Sequence, residues 1–374
     1  MPEWSAADRE AYLALALVPG IGAARMSALL DRLETPARVL AAGSEALGAV
    51  QGISTAAATA IAGADLRQAR AAMARLAELG GQLLLPGDAA FPAALRDIPD
   101  PPLHLFALGD VALLARPAVA IVGSRDHSLY GAEVCRAVAR AAAEAGLAVV
   151  SGMARGLDAV AHAGALEGKG ATIGVLGNGL GVVYPAANRE LYEHVARDGL
   201  LLTEFPPGER PTAGSFPRRN RLISGLSRVV VVVEAALTSG ALQTVACALE
   251  QGREVLAVPG QITSPVSAGA NRLLRDGAGP LLELDDLLAH YPEGVRRDVA
   301  PAPRLRGSPS GGAGLTREIV NALWSGPRRV EELVGACGAP VDAALDALSA
   351  LELAGRVIQE AGGVYRLAAP ALFL

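Results

Sequence analysis

Hydrophobic and polar positions follow different periods in different parts of the chain, and each period predicts a type of structure. Over residues 1–80, apolar side chains recur every three or four positions, as in the run from Tyr12 to Leu17 and the stripe that Met26 begins. This spacing predicts short amphipathic helices. Val18-Pro-Gly-Ile-Gly22 interrupts the pattern, and Val50-Gln-Gly-Ile-Ser54 repeats the interruption. We therefore expect a helical domain of the helix-hairpin-helix or SAM-like kind at 1–80. The backbone amides of such a hairpin can hold a DNA phosphate, and the alternative is a helical unit that uses glycine only to turn.

Beyond residue 80, short continuous apolar runs alternate with alanine-rich helical stretches as far as about residue 292. The runs occupy 118–123, 147–152, 171–177, 200–204, 229–234 and 254–260, and the helical stretches begin near Tyr130, Leu157, Asn188, Ser215 and Ser239. Buried strands that alternate with helices are typical of βαβ units. We predict an α/β domain at 81–292, with an extended Rossmann-like, doubly wound parallel sheet covered by helices on both faces.

The last part of the chain predicts a linker and a small third domain. Residues 293–314 are rich in proline, glycine and serine, which favours a flexible linker. Residues 315–374 then show three helical stretches and a hairpin with Gly362-Gly363 near its turn, a pattern typical of a winged helix. Its third helix carries Asp342, Asp346 and Glu352 and no cation. We therefore expect it to contact protein rather than DNA phosphates.

Composition limits the classes of function. The 374 residues carry a formal charge of −5 and only 3% aromatics, and Lys169 is the only lysine, so a nucleic-acid site must be local and built from arginine. Cys135, Cys247 and Cys337 have no CxxC spacing, which excludes a disulfide framework and a cysteine zinc site. The amino terminus lacks a signal-peptide pattern, and no apolar run approaches the ~20 residues of a membrane span. We expect a cytoplasmic protein without a membrane partner.

Several strand-to-helix junctions carry residues suited to anions. Gly123-Ser124-Arg125 follows the first predicted run, Ser151-Gly152 and Arg155 follow the second, and Gly177 ends the third. The segment 216–221 then brings three arginines into four residues. Arginine forks pair with phosphate oxygens, and free amides at helix starts favour anions. Because parallel strands end at one edge of the sheet, we predict an anion-binding groove there.

Other chemistries find little support. Residues 177–181 are not a GxGxxG fingerprint, and residues 164–170 have neither the length nor the hydroxyl of a P-loop. We therefore expect no NAD(P), no nucleoside triphosphate and no other cofactor or metal. Asp158 and His162 lie one helical turn apart near Ser151, but no GxSxG elbow is present. We interpret His162 as structural and expect no enzymatic activity.

Ordered motifs between residues 91 and 288 resemble the DNA-processing protein A (DprA/Smf) family. They include Ile121-Val-Gly-Ser-Arg125, Ser151-Gly-Met-Ala-Arg-Gly-Leu-Asp158, Tyr184-Pro185, Thr203-Glu-Phe-Pro-Pro-Gly208, Arg219-Asn-Arg-Leu-Ile223 and Val258-Pro-Gly260. The resemblance implies a homodimer that binds single-stranded DNA without sequence preference and has no catalytic step. It also implies protection of incoming DNA in natural transformation and loading of the RecA recombinase. Recombinational repair stays open as the main role, and single-strand-binding protein is a further candidate partner.

The resemblance also implies site residues. It carries the family's strand-binding residues to Ser124, Arg125, Phe216, Arg219, Asn220 and Arg221, to which we add Arg189. The full candidate set is Gly123, Ser124, Arg125, Ser151, Gly152, Arg155, Gly177, Arg189, Phe216, Arg218, Arg219, Asn220, Arg221, Ser239 and Gly240. Among the three clustered arginines we expect Arg219 and Arg221 to matter most, with Phe216 as a base-stacking neighbour. The family often has a lysine where this chain has Ala171, with Lys169 two residues earlier, and Arg218 is an extra cation.

Two other functions agree with parts of the sequence. Nucleotide phosphoribohydrolases of the lysine-decarboxylase-like group share a similar sheet and first loop. However, Ser239-Gly240-Ala-Leu-Gln-Thr244 lacks the double glycine and early glutamate of that chemistry. The second alternative is a protein-interaction hub, which the acidic winged helix favours. A similar sheet alone does not establish shared chemistry.

Overall fold

The computed structural model describes residues 4–168, 171–292, 295, 313–324 and 326–368. Six helices occupy the amino-terminal part of the described chain, as the apolar pattern predicts. They are α1 (Ala6–Ala16), α2 (Ala23–Leu33), α3 (Pro36–Ala41), α4 (Ser44–Gly48), α5 (Thr55–Ala62) and α6 (Leu66–Glu78). Ser5, Ser54 and Asp65 cap three of them by accepting a backbone N–H. These caps explain why the helices begin where they do.

Two helix-turn-helix pairs in this part repeat one another. Gly20 and Gly52 turn the chain with φ of +84° and +85°, a region in which glycine avoids the Cβ penalty. The N–H of Ile21 donates to Val18 O (3.2 Å), and the N–H of Ile53 donates to Val50 O (3.1 Å). All four apolar side chains belong to one core. The predicted glycine turns are confirmed, and the repeat forms a tandem pair of hairpins.

Nine strands in the described range 82–280 form one sheet. They are β1 (Gln82–Leu84), β2 (Leu105–Gly109), β3 (Ala118–Val122), β4 (Ala148–Ser151), β5 (Thr172–Val175), β6 (Leu200–Thr203), β7 (Val229–Val232), β8 (Glu254–Ala257) and β9 (Gly279–Pro280). The strand order is β1-β2-β6-β5-β4-β3-β7-β8-β9. The strands from β3 to β9 pair in parallel, whereas β2 pairs antiparallel with β6 and with β1.

Helices cover both faces of this sheet, which confirms the predicted doubly wound class. The intervening helices are α7 (Ala93–Arg96), α8 (Leu129–Glu144), α9 (Leu157–Glu167), α10 (Arg189–Asp198), α11 (Ser215–Gly225), α12 (Ala241–Glu250), α13 (Ala268–Arg275) and α14 (Leu284–Leu288). Alternate residues of each strand enter opposite cores: Val119 packs with α8 and α9, and Val230 packs with α11 and α12. The amino-terminal helices α1 and α6 pack against the sheet around Phe106 of β2.

The six predicted strands are confirmed, while β1, β2 and β9 were missed. The missed strands β1 and β9 have three and two residues, too few for a periodic signal. The antiparallel strand β2 follows Pro101-Pro102, whose turn character hides the apolar run behind it. The predicted all-parallel sheet therefore carries an antiparallel edge.

The carboxyl-terminal elements form the predicted winged helix. They are α15 (Ala313–Trp324), β10 (Arg328–Arg329), α16 (Val330–Cys337), α17 (Val341–Leu353), β11 (Val357–Glu360) and β12 (Val364–Leu367), with strand order β10-β12-β11. Arg366 on the wing forms an ion pair with Glu133 of α8. Most of the predicted linker at 293–314 lies outside the described residues. No single described helix is long and apolar enough to span a membrane, although α16 and α17, bent by 110°, pass that test as a pair.

Gly109 ties the antiparallel edge to the rest of the sheet, which gives a test of the fold. Its φ is +112°, and a Cβ there would overlap the carbonyl oxygen of Gly199. We expect Gly109→Ala to lower the free energy of unfolding by about 3 kcal/mol. Gly252→Ala is the matched control, because φ is +64° there and no heavy atom lies within 4 Å of the added Cβ; it should cost only about 1 kcal/mol. Urea unfolding followed by circular dichroism compares the two, and equal losses would contradict this account.

Candidate nucleic-acid interface

The strand order places a crevice between β3 and β7. The chain runs from β3 outward through β4, β5 and β6, then returns to pair β7 with the other side of β3. Such a switch point opens a crevice at the carboxyl ends of the strands. A cavity of about 350 Å³ lies there, and a smaller one of about 70 Å³ adjoins it; Arg125, Ala154 and Phe216 line both. We call the two cavities together the groove.

Eleven of the predicted site residues line this groove. The larger cavity is lined by Gly123, Ser124, Arg125, Phe216, Arg219, Asn220, Ser239 and Gly240, and the smaller adds Gly152, Arg155 and Gly177. The prediction that loops from several strands meet at one edge therefore agrees with the structure. Contact of these residues with DNA stays a prediction.

Arg219 holds the floor of the groove together. Its side chain is buried, and its guanidinium donates to the carbonyl oxygens of Gly152 and Val175, at the ends of β4 and β5. Burial lowers the pKa of Arg219 to about 10, while Asp158 opposes that shift. The group therefore stays charged at neutral pH. A Cβ at Gly152 would lie 2.6 Å from both the Arg219 guanidinium and the Asp158 carboxylate, so only glycine fits.

Asp158 and His162 serve the same framework. Asp158 accepts the N–H of Gly152 (3.1 Å) and faces the charge of Arg219. His162 Nδ1–H donates to Thr172 Oγ1 (2.7 Å), because the Thr172 hydroxyl itself donates to Val149 O. Burial, with Arg219 adding to it, lowers the pKa of His162 to about 3. A neutral imidazole buried between α9 and β5 agrees with the interpretation of His162 as structural.

The three arginines of the predicted cluster leave α11 in different directions. Successive helical residues rotate by about 100°. Arg218 is exposed, and its guanidinium lies 5.4 Å from the centre of the Phe205 ring. Arg219 points inward. Arg221 is 12% exposed and pairs with Glu204 and Asp100, each at 2.8 Å. Of the three, Arg219 lines the groove, while Arg218 and Arg221 do not; the contact of all three with DNA stays a prediction.

The exposed cations of the groove are instead Arg125 and Arg155. Arg155 is 61% exposed and pairs with Asp126 at 3.0 Å. The Arg125 guanidinium lies 6.0 Å from the centre of the Phe216 ring. Phe216 in turn packs against Tyr184 with ring centroids 5.5 Å apart and an interplanar angle of 37°. An arginine and two aromatic rings thus form a continuous wall, which we call the aromatic wall.

The remaining predicted residues lie around or behind this wall. Ser151 is buried and donates to Ile121 O (2.7 Å), so its hydroxyl is unavailable to a ligand. The Ser124 hydroxyl donates to Asp126 O (2.6 Å) and shapes the first loop. Arg189 is exposed at the start of α10 and lines neither cavity. Lys169 lies outside the described residues.

Several residues that line the groove, among them Tyr184, Thr238 and Gln243, are not in the predicted site set. Tyr184 is 49% exposed and faces Phe216, while Thr238 and Gln243 line the larger cavity. The neighbouring Pro185 marked Tyr184 as part of a motif, but nothing in the sequence placed it beside α11. Thr238 follows the buried strand β7, and Gln243 lies in the first turn of α12. Polar residues between a buried strand and the next helix are the sequence signal that could have identified them.

These observations define the class: an α/β protein with a Rossmann-like sheet, a groove at its switch point and a carboxyl-terminal winged helix. Within the described residues, no group of three His, Cys, Asp or Glu side chains has the arrangement of a metal site. The model of the DNA recombination-mediator protein A family matches residues 82–292, and the DprA winged-helix model matches residues 300–363. The chain therefore belongs to the DNA recombination-mediator protein A (DprA) family.

Relatives and solved structures agree with this assignment. Protein Smf of Escherichia coli is 40% identical over 288 residues, covering 76% of this chain and 77% of Smf. The crystal structure of DprA from Streptococcus pneumoniae matches with a TM-score of 0.66 at 33% identity, covering 76% of this chain and 98% of that one. A structure of DprA from Helicobacter pylori, which concerns its single-stranded DNA binding mode, matches with a TM-score of 0.52 at 31% identity over 56% of this chain and 94% of that one.

The buried His162 makes stability depend on pH. Its pKa falls from 6.5 to about 3 in the folded chain, so below pH 6.5 the unfolded chain binds a proton that the folded chain does not. Stability is therefore lost as the pH falls from 6.5 toward 3, by up to about 1.4 kcal/mol per pH unit from this group. We expect His162→Gln to be less stable at pH 7 but to lose less stability on acidification.

The measurement is urea unfolding between pH 7 and pH 4. His194→Gln is the control, since His194 is exposed on α10 and its replacement should leave the wild-type pH dependence unchanged. Parallel curves for wild type and His162→Gln over this interval would refute a buried neutral imidazole.

Proposed function

We propose that the protein binds single-stranded DNA without sequence preference, with the strand lying in the groove against the aromatic wall. The observation that carries this proposal is the stacking of Arg125, Phe216 and Tyr184 along the groove at the sheet's switch point. Aromatic faces accept the faces of unstacked bases, and arginine pairs with backbone phosphates. The similarity to H. pylori DprA, whose structure concerns single-stranded DNA binding, supports the same ligand.

Single strands suit this groove better than duplexes. Base faces are covered in a duplex, so the rings of Phe216 and Tyr184 gain stacking partners only from a strand whose bases are splayed. The groove also offers backbone and hydroxyl groups at Gly123, Ser124 and Ser239, which do not distinguish one base from another. Phosphate contact and stacking together favour binding that tolerates every sequence.

We propose a binding role rather than an enzymatic one. Asp158 and Arg219 are buried against each other, and His162 is enclosed between α9 and β5, so the three groups hold the framework of the groove together. On the family resemblance we further propose that the protein protects DNA strands, loads RecA onto them and acts in the cytoplasm as a homodimer. The domains proposed are 1–80, 81–292 and 315–374, joined by a linker at 293–314, with the acidic winged helix contacting a protein partner.

The salt dependence of binding tests the role of Arg125. Each phosphate contact on a single strand contributes about −0.7 to the slope of log K against log salt concentration. We expect Arg125→Ala to weaken binding about tenfold for every sequence and to reduce the slope by about 0.7. Fluorescence anisotropy with labelled oligonucleotides at several salt concentrations measures both quantities.

The matched control is Arg197→Ala. Arg197 is an exposed arginine paired with Asp198 at 2.8 Å, and it lies at the far end of α10 from the sheet edge that carries the groove. Its removal should leave affinity and slope at the wild-type values. An unchanged slope in Arg125→Ala, or equal losses in the two variants, would remove the groove as the binding site.

Stacking on the aromatic wall gives a prediction of a different kind. Replacing Phe216 with leucine keeps an apolar side chain but removes the ring, and a stacked base contributes about 1–3 kcal/mol. We expect Phe216→Leu to weaken binding by about tenfold with the salt slope unchanged, because no phosphate contact is lost. A loss that appears in the slope rather than in the salt-independent affinity would show that Phe216 acts only by positioning Arg125.

Incubation with nucleoside monophosphates tests the enzymatic alternative. The expected result is no release of free base above the background of a protein-free sample, measured by chromatography. Release by the wild type that Arg125→Ala abolishes would replace the binding proposal with a phosphoribohydrolase.

A further inference from the structure

A second cleft, of about 650 Å³, lies between the amino-terminal helices and the sheet. The first hairpin forms one wall through residues 17–21, and α6 contributes Gln68, Ala71 and Ala72. The opposite wall is the loop that follows β6, at residues 204–209, with His104 and Arg218. The proposed function makes no use of these groups.

Two buried acceptors that line the cleft make no hydrogen bond within the described residues. Glu204 and His104 are 5% and 4% exposed, and within the described residues Glu204 Oε2 and His104 Nδ1 accept no hydrogen bond, although Glu204 Oε2 lies 3.8 Å from Arg218 Nε. His104 Nε2–H donates to Glu204 O (3.0 Å), which leaves Nδ1 as an acceptor. Unpaired buried acceptors are costly, so a ligand with N–H donors suits this site.

Donors lie on the other side of the same cleft. Gly20 is exposed on the hairpin turn, and its N–H donates no hydrogen bond within residues 4–168 and 171–292. Arg25 donates to Gly20 O (2.6 Å), which places a cation at the turn. Arg218 is 56% exposed over the Phe205 ring. Since Glu204 and Glu209 also line the cleft, free phosphate is disfavoured, and a ligand with separate anionic and N–H-bearing parts fits.

The cleft and the groove share a wall. Gly179 N–H donates to Glu209 O (2.9 Å), and Gly208 N–H donates to Leu180 O (2.9 Å). These bonds join the loop after β6, which lines the cleft, to the loop after β5, which lines the groove. Phe216 of the aromatic wall and Arg218 of the cleft are two residues apart on α11. The groove and the cleft are therefore neighbouring spaces that share α11 and the loops beside it.

We propose that the cleft holds a nucleotide of a single DNA strand that continues out of the groove. The base donates N–H groups to Glu204 and His104, and the phosphate lies between the hairpin amide of Gly20 and Arg218. This inference depends on the proposed function of the groove, and it makes the amino-terminal hairpin part of one extended strand-binding surface. Cytosine, with its exocyclic amino group, is the suitable probe base.

The test compares oligodeoxycytidines of six and twelve nucleotides on the full-length protein by fluorescence anisotropy. A third set has the 5′ or the 3′ half of the twelve-nucleotide strand abasic, which keeps the phosphates and removes the bases. We expect the full twelve-nucleotide strand to bind about tenfold more tightly than at least one of the abasic strands. Equal affinities of the full twelve-nucleotide strand and both abasic strands would overturn the proposal.

Ala71→Glu adds a carboxylate at an exposed position of α6 that lines the cleft. We expect it to weaken binding of the twelve-nucleotide strand about fivefold and to leave the six-nucleotide strand unaffected. Ala60→Glu, at an exposed position of α5 that does not line the cleft, is the matched control and should change neither. Circular dichroism verifies that both variants fold as the wild type does.

The outcomes separate the two proposals. If Arg125→Ala weakens both strands while Ala71→Glu weakens neither, the groove stands and the cleft is overturned. If the wild type binds neither strand, the groove proposal fails and the cleft proposal with it. If saturating free deoxycytidine monophosphate leaves the gain of the longer strand unchanged, the cleft does not hold a nucleotide and the proposal is overturned.

Discussion

The buried guanidinium of Arg219 is the interaction on which the groove depends. It joins the carbonyl ends of β4 and β5 and faces Asp158 of α9, so one side chain fixes two strands and two helices relative to each other. Loss of one partner of a buried charge pair leaves the other uncompensated, and a side chain at position 152 would collide with both groups. The geometry of the groove floor therefore follows from a charge that solvent hardly reaches.

Fixing the floor determines what the rim can present. Since Arg219 anchors α11, Phe216 on the preceding turn is held against Gly177, where a Cβ would lie 2.8 Å from its ring. The ring in turn positions Arg125 and Tyr184. Several arginines outside the groove are paired with carboxylates, as at Arg221 and Arg366. In a protein of formal charge −5, Arg125 at the rim, which is unpaired among the described residues, is therefore a local cation rather than part of a broad basic surface.

Periodicity was enough to predict the class of fold, and it failed where strands were short or stood next to proline. The predicted runs became β3 to β8 because continuous apolar stretches of this length have few other uses in an α/β protein. The order of the motifs along the chain also predicted that the candidate residues meet at one edge of the sheet, and most of them line the groove there. The sequence does not predict the direction in which each side chain leaves its helix. Three arginines within four residues suggest one patch, yet α11 turns Arg218 outward, Arg219 inward and Arg221 toward Glu204. Tyr184 was missed because its neighbour Phe216 is distant in sequence.

The same directional argument applies to the cleft that lies beside the amino-terminal hairpins. Arg218, which leaves α11 on the side away from the groove, faces Phe205 and the cleft that the first hairpin closes. Phe216 and Arg218 of one helix thus present different chemistry to two adjacent spaces. The inward Arg219 anchors that helix to the ends of β4 and β5, so the two spaces share one fixed element. A strand that occupied both spaces would meet aromatic rings in the groove and buried acceptors in the cleft.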